Sequence, residues 1–239
     1  MYHRLPFRPI LILSSIAIGL FFSLAVLQGA GKKSAKNDAD AKLRIVCVST
    51  LPGKDKVVLA STDEKGKWQE HGDVSLRASS ITDWLPAKAG EMHLALRSND
   101  EYHSICSFQC PADSAQNLVA LIADEETKTY KARVFDPKRM EFSKGTVLVV
   151  NFSPQGSEVS LGSNVQKVDP NSERVAKPAA AQDGTYRLQA SYTDDKGTSV
   201  PCFDRHVMGN ADSREMLFLL PDKNLGMKVV SLPVFGSFE

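Results

Sequence analysis

The stretch Ile45-Val-Cys-Val-Ser-Thr-Leu-Pro52…Val57-Val-Leu59-Ala-Ser61 lies without a gap on Val147-Leu-Val-Val-Asn-Phe-Ser-Pro154…Val159-Ser-Leu161-Gly-Ser163. Val48 meets Val150, Pro52 meets Pro154, Val57 meets Val159 and Leu59 meets Leu161. Further on, Gly90-Glu-Met-His-Leu94 lies on Gly184-Thr-Tyr-Arg-Leu188, Cys106 falls near Cys202, and Leu121-Ile-Ala-Asp124 lies on Leu219-Leu-Pro-Asp222. Alternating sequences of one type always align a little. Here prolines, a glycine and a cysteine follow in the same order as the apolar residues, which is the mark of an internal duplication. A duplicated chain is restricted to folds in which one supersecondary plan is used twice.

Each copy reads as short strands between turns. Leu43–Ser49, Lys56–Ser61, Glu91–Arg97, Tyr102–Phe108, Asn117–Ala123 and Lys128–Phe135 form the first set. Thr146–Phe152, Glu158–Leu161, Tyr186–Tyr192, Thr198–Phe203, Glu215–Leu220 and Met227–Leu232 form the second. Pro-Gly, Asn-Asp and Asp-Pro-Asn-Ser punctuation separates them. Asp169-Pro-Asn-Ser172 has type I turn chemistry. Lys177–Gly184 reads as a loop, and Thr193-Asp-Asp-Lys-Gly197 as a hairpin turn ending in a permissive glycine. No amphipathic helix is evident. The expected fold is all-β: two tandem immunoglobulin-like β-sandwiches, residues 43–140 and 141–239.

The beginning of the chain is different in kind. Arg4 and Arg8 precede an apolar run, Ile10–Leu27, and small residues follow in Gln28-Gly-Ala-Gly31. Positive start, apolar middle and small-residue end are the order of a secretory signal, with cleavage expected near Ala30. The run is long for a signal core and just long enough to span a bilayer, so an uncleaved N-terminal membrane anchor is the alternative. Residues 1–30 are therefore read as signal peptide or anchor, and residues 31–42, polar and of mixed charge, as a flexible tether. The expected location is the periplasm or cell envelope, with membrane contact only through an uncleaved N-terminal segment.

Charge narrows the partners. With 29 basic and 28 acidic residues, the formal net charge is +1. A near-neutral chain without a basic stripe does not suit nucleic acid, because phosphate binding needs clustered Lys and Arg.

Cys47, Cys106, Cys110 and Cys202 are the cysteines. An exported chain permits disulfides, and four cysteines allow three connectivities. Cys47 lies inside an apolar run, where a buried thiol is the competing reading. Cys106 and Cys110 cannot bridge on one extended strand, since four residues span about 13 Å and a bridge needs Cα atoms about 6 Å apart. His103-x-x-Cys106-x-x-x-Cys110 and Cys202-x-x-x-His206 lack the tight ligand pairs of structural zinc sites. Asp204-Arg-His206 is compatible with a triad only in space, and there is no Gly-x-Ser-x-Gly elbow. It reads as a solvated strand end, His71-Gly-Asp73 as a turn, and His93 as the outward residue of an alternating strand. Asp124-Glu-Glu126 and Asp194-Asp195 read as acidic hairpin turns rather than calcium sites. Trp68 and Trp84 are either core of the first sandwich, the favoured reading, or exposed platforms for sugar. No dinucleotide, phosphate-loop or zinc-protease motif is present, so no cofactor and no catalytic residue is assigned.

Val147-Leu-Val-Val-Asn151-Phe-Ser-Pro154…Glu158-Val-Ser-Leu161, followed by Lys167-Val-Asp-Pro170, resembles the opening of small β-sandwich domains of unknown function in exported bacterial proteins. The resemblance covers much of the second half and less of the first, where Ser49 stands in place of Asn151. It implies a bacterial envelope protein with a sandwich fold and brings no activity or site residue with it. The expectation is a non-enzymatic structural or interaction module whose partner is another envelope protein. A periplasmic chaperone-like pair of domains and an envelope hydrolase or carbohydrate-binding protein are the alternatives.

Overall fold

The computed structural model describes residues 41–99, 101–180, 182–236 and 238. The signal or anchor reading, and the tether up to residue 40, lie outside these residues. All regular structure described is strand. In the first half the strands are β1 (Ala41–Cys47), β2 (Lys56–Thr62), β3 (Trp68–Ser75), β4 (Ser80–Ile81), β5 (Leu85–Ala87), β6 (Gly90–Ser98), β7 (Glu101–Cys110), β8 (Gln116–Asp124) and β9 (Thr129–Phe135). In the second they are β10 (Val147–Asn151), β11 (Ser157–Leu161), β12 (Asn164–Val168), β13 (Glu173–Ala176), β14 (Thr185–Thr193), β15 (Ser199–Met208), β16 (Arg214–Asp222) and β17 (Gly226–Val234). β1 begins inside the expected tether: Ala41 is buried, and the Lys42 N–H donates to the Ala115 carbonyl at 2.9 Å.

The strands form four sheets. β3-β2-β6-β7 is one outer sheet, and β4-β1-β8-β9, with β5 also on β1, is the inner sheet facing it. β13-β10-β16-β17 is the second inner sheet and β12-β11-β14-β15 the second outer sheet. The order of pairing is the same in both halves. In each, the first strand runs parallel to a late one, β1 to β8 and β10 to β16, while the other pairs are antiparallel.

Three apolar cores join these sheets into one stack. Leu43, Ile45, Leu59, Leu94 and Leu121 fill the first core, between the sheets of the first half. Val149, Val159, Leu161, Leu188 and Leu219 fill the third, between those of the second. The middle core lies between the two inner sheets, where Val46, Leu118 and Phe135 meet Leu148, Phe218 and Leu232. The strand sequences follow from this. β10 is buried at every residue because both its faces are covered, and a strand covered twice reads as a continuous apolar run. β12 alternates exposed and covered residues because one face is wet.

The matched residues of the two halves take the same faces. Val57 and Leu59 enter the first core as Val159 and Leu161 enter the third, and Val48 and Val150 both enter the middle core. Gly90 and Gly184 both have positive φ, 106° and 79°, a conformation that a side chain resists. The cysteine match is looser: Leu94 faces Cys106, whereas its counterpart Leu188 faces Arg205 rather than Cys202.

Asn151, the residue that anchors the motif of the second half, is fully buried. Its Nδ2 lies 2.8 Å from the Gln155 carbonyl and within 3.3 Å of the Val168 and Asp169 carbonyls and the Ser157 hydroxyl. Its Oδ1 accepts the Ser153 N–H at 2.8 Å. One amide thus ties the end of β10 to the turn before β13. That turn is not type I: Asn171 has a φ of 51°, the left-handed conformation asparagine tolerates best after glycine.

Candidate functional site

The most organised polar cluster lies on the exposed face of the first outer sheet. Its floor is made of small residues, Ala60 on β2 and Ala95 on β6, both fully buried. Larger side chains from the two edge strands lie across them. Trp68 on β3 stacks on Tyr102 of β7, with ring centroids 5.3 Å apart and planes 23° apart. His93 on β6 meets Trp68 edge-on at 5.1 Å and 66°. The Tyr102 hydroxyl donates to Glu70, and Arg97 reaches Glu70 with Nη1 at 2.9 and 3.0 Å and Asp73 with Nη2 at 3.8 Å. Gln69, between Trp68 and Glu70, turns to the other face of the sheet, where it accepts a hydrogen bond from Lys88 at 2.8 Å.

Local structure explains the reach of these groups. β3 bulges where its register against β2 shifts between Leu59 and Ala60, and Gly72 sits beside the extra residue. β7 bulges where its register against β6 shifts between Leu94 and Ala95. Bulges increase local twist and re-aim side chains, here inward over the alanine floor.

The electrostatics are self-contained. The Tyr102 hydrogen bond, with help from Arg97, holds the Glu70 carboxyl below its usual range. The same carboxylate raises Tyr102 and Arg97. His93 Nδ1 shares a hydrogen with the Ser104 hydroxyl at 3.2 Å. Its Nε2 is covered and has no hydrogen-bond partner among the described residues. Ring N–H contact with an aromatic face is the compensation open to a nitrogen beside Trp68.

His71 is not in a turn but within β3, and its Nε2 lies 2.8 Å from the Ser61 hydroxyl. Burial, then Lys88, lowers the His71 pKa. This pairing of hydroxyl and imidazole escaped the sequence reading, because β3 carries no alternating pattern. Ser61 is 6% exposed. A substrate carbonyl cannot approach a hydroxyl so covered, and the pair serves to satisfy two polar groups at the sheet margin.

The other candidates are dispersed. Neither tryptophan joins the core: Trp68 belongs to the outer face, and Trp84 packs edge-on against Phe238 at 5.8 Å with Arg44 over its ring at 5.5 Å. All four cysteines are free thiols. Cys47, Cys106 and Cys110 are buried in the first core, and Cys202 packs against the third. Cys106 and Cys110 share β7, whose bulge precedes both, so the strand keeps them too far apart to bridge. Burial pushes Cys47 and Cys106 up to about 12 and Cys110 to about 11.

Asp204 lies inside β15, and His206 stands two residues before its end. Asp204 is held by Arg187 at 2.8 and 2.6 Å, the main cause of its lowered pKa. Asp124 and Asp194 accept N–H groups of their own hairpins. Among the described residues no group of three His, Cys, Asp or Glu side chains is placed to hold a metal ion. A cleft at the end of the second half is lined by Gly145, Lys177, Gly184, Tyr186, Arg214 and Glu215. There the buried Tyr186 hydroxyl donates to Glu215 at 3.3 Å, and Arg214 is engaged by the Phe142 and Gly236 carbonyls.

Comparison with known protein families and with curated proteins finds no match. The class defined so far is an all-β protein of stacked sheets with an aromatic and ionic cluster on one outermost face.

Proposed function

We propose that this chain is an exported, non-enzymatic binding module made of two tandem immunoglobulin-like sandwiches. It holds another component of the cell envelope on the outer face of its first sandwich. The order positive–apolar–small at its start supports export. The shared strand order and shared burial of matched residues support duplication. The sandwiches resemble the immunoglobulin plan in size and in their two facing sheets. They depart from it in keeping the third strand beside the second in one sheet.

The observation that carries the reading is the placement of Trp68, Tyr102, His93 and Arg97 on an open sheet face. Tryptophan, tyrosine and arginine are the side chains that dominate recognition surfaces. Catalysis instead needs groups converging on a sheltered reacting atom. The chaperone-like alternative requires a basic anchor in a cleft between domains. Here an apolar core occupies the junction, and the arginines at its margin are engaged, Arg133 by Glu173, Arg44 by the Thr82 and Phe235 carbonyls, and Arg214 by the Phe142 and Gly236 carbonyls.

The test is site-specific photocrosslinking in host cells. A photoreactive residue at Ser107 or Gln109, both exposed on this face, is expected to capture one reproducible envelope component. One at Lys167, on the opposite outer sheet, is expected to capture none. Equal capture from both faces, or none from either, would remove the reading.

A further inference from the structure

We infer that the ligand of this face is an uncharged, β-linked pyranose chain, held with a sugar ring against Trp68; this rests on the proposed binding role and specifies its chemistry. Three observations point the same way. The first is charge. Glu70, Asp73 and Glu91 outnumber Arg97, whose guanidinium is already held by the first two, so the face repels anions and offers no free cation to bind one. The second is the aromatic geometry. Trp68 is half-buried, backed by Tyr102 and braced edge-on by His93, so its ring is fixed before any ligand arrives. Pre-organisation spares the entropy of ordering a large side chain on binding.

The third is the surrounding lining. Around the rings the outward residues are Thr62, Glu91, Ser104, Ser107 and Gln109, all exposed. The large exposed apolar residues, Val165, Met208, Leu225 and Phe235, all lie elsewhere. A protein interface is apolar at its centre, and beyond the rings this lining offers hydroxyl, amide and carboxylate groups instead. A sugar chain brings hydroxyl groups to meet each of them, and an apolar C–H face to meet the ring. Equatorial linkage keeps that chain extended and flat, as the sheet face requires. The corresponding face of the second half carries the Arg187–Asp204 pair and, among the described residues, no stacked aromatic pair. The sandwich plan therefore does not demand the cluster for its stability.

Trp68 and Trp84 are the only tryptophans, which makes the test direct. In the full-length chain carrying Trp84→Phe, all indole emission comes from Trp68. Titration with cellohexaose or chitohexaose is expected to shift that emission saturably, with a Kd of about 1 mM or tighter. Trp68→Ala, followed by calorimetry, is expected to weaken binding at least about tenfold, and Gln109→Ala, an exposed change, by a smaller factor. No response to either hexasaccharide at ten times that concentration overturns the inference, provided circular dichroism shows a folded chain. So does undiminished binding by Trp68→Ala. The photocrosslinking adducts separate the two claims. A protein adduct without a sugar response keeps the binding role and discards the glycan; a glycan adduct supports both.

Discussion

Two asparagines, Asn117 and Asn151, are both fully buried and are expected to respond to the same substitution with opposite signs. Asn117 is the second residue of β8, facing Leu43 across the parallel pair. Neither its Oδ1 nor its Nδ2 has a hydrogen-bond partner among the described residues. Each buried polar group left unmatched costs about 1–3 kcal/mol, and Asn117 has two; leucine keeps the branched shape of asparagine, but its larger methyl groups give back about 1–3 kcal/mol in overpacking. Asn117→Leu should therefore stabilise the chain by about 2 kcal/mol. For a unit of this size, that is a rise in midpoint temperature of about 4–8 °C. Asn151→Leu removes the amide that holds Gln155, Val168, Asp169 and Ser153 together. Those backbone groups would be stranded, at a cost of about 3 kcal/mol or more. Urea unfolding followed by far-ultraviolet circular dichroism reads both. A lowered midpoint for Asn117→Leu would mean that the amide makes bonds the leucine forfeits. Shifts of the same sign in both variants would refute the reasoning that satisfaction, rather than polarity, sets the cost.

Two other outcomes are expected. The folded pKa values of Cys47, Cys106 and Cys110 lie above the ordinary thiol value of 9.0, so stability from these groups is complete below pH 9 and is lost as pH rises toward 11–12. Replacing all three by alanine should flatten this alkaline limb of a stability–pH curve, and an unchanged limb would point to other groups such as Tyr186. Gly162 has a φ of 70°, and a Cβ there would lie 2.1 Å from the Ala179 carbonyl oxygen; Gly162→Ala should cost about 2 kcal/mol or more, measured by the same urea titration, and a neutral result would show that the Ala179 loop yields freely.

Much of the fold was legible because the duplicated residues are core residues. Val57 with Val159, and Leu59 with Leu161, were matched by type, and each pair takes the same face. The all-β character followed from strand runs and turn residues, and the Thr193–Gly197 hairpin from its terminal glycine, which has a φ of 78°. The stacking of the two halves was written in Ile45–Val48 and Val147–Val150. Both are apolar without alternation, which requires cover on two faces. That signal was read as strand and not followed to the layer count. β3, β4 and β5 were missed because β3 has a bulge and two wet rows, while β4 and β5 are only two and three residues long. The candidate site went with them. Trp68, Glu70 and His71 lie on β3, and nothing in local spacing shows that they meet Tyr102 and Ser61 on other strands. The sequence offered Trp68 as core, but its ring lies over alanines on the outside.

The parallel pairing of β1 with β8 and of β10 with β16 has a consequence for how the chain acquires its structure. Neither sandwich can seat its opening strand until nearly all of its own sequence has been made, because that strand's partner lies close to the end of the half. Such distant pairing raises contact order and slows folding. During synthesis the first half can close once β9 has emerged. Its inner sheet then waits with Val46, Leu118 and Phe135 uncovered until β16 and β17 arrive to complete the middle core. The growing chain is thus most exposed to wrong association late, when one finished sandwich still shows an apolar face to solvent.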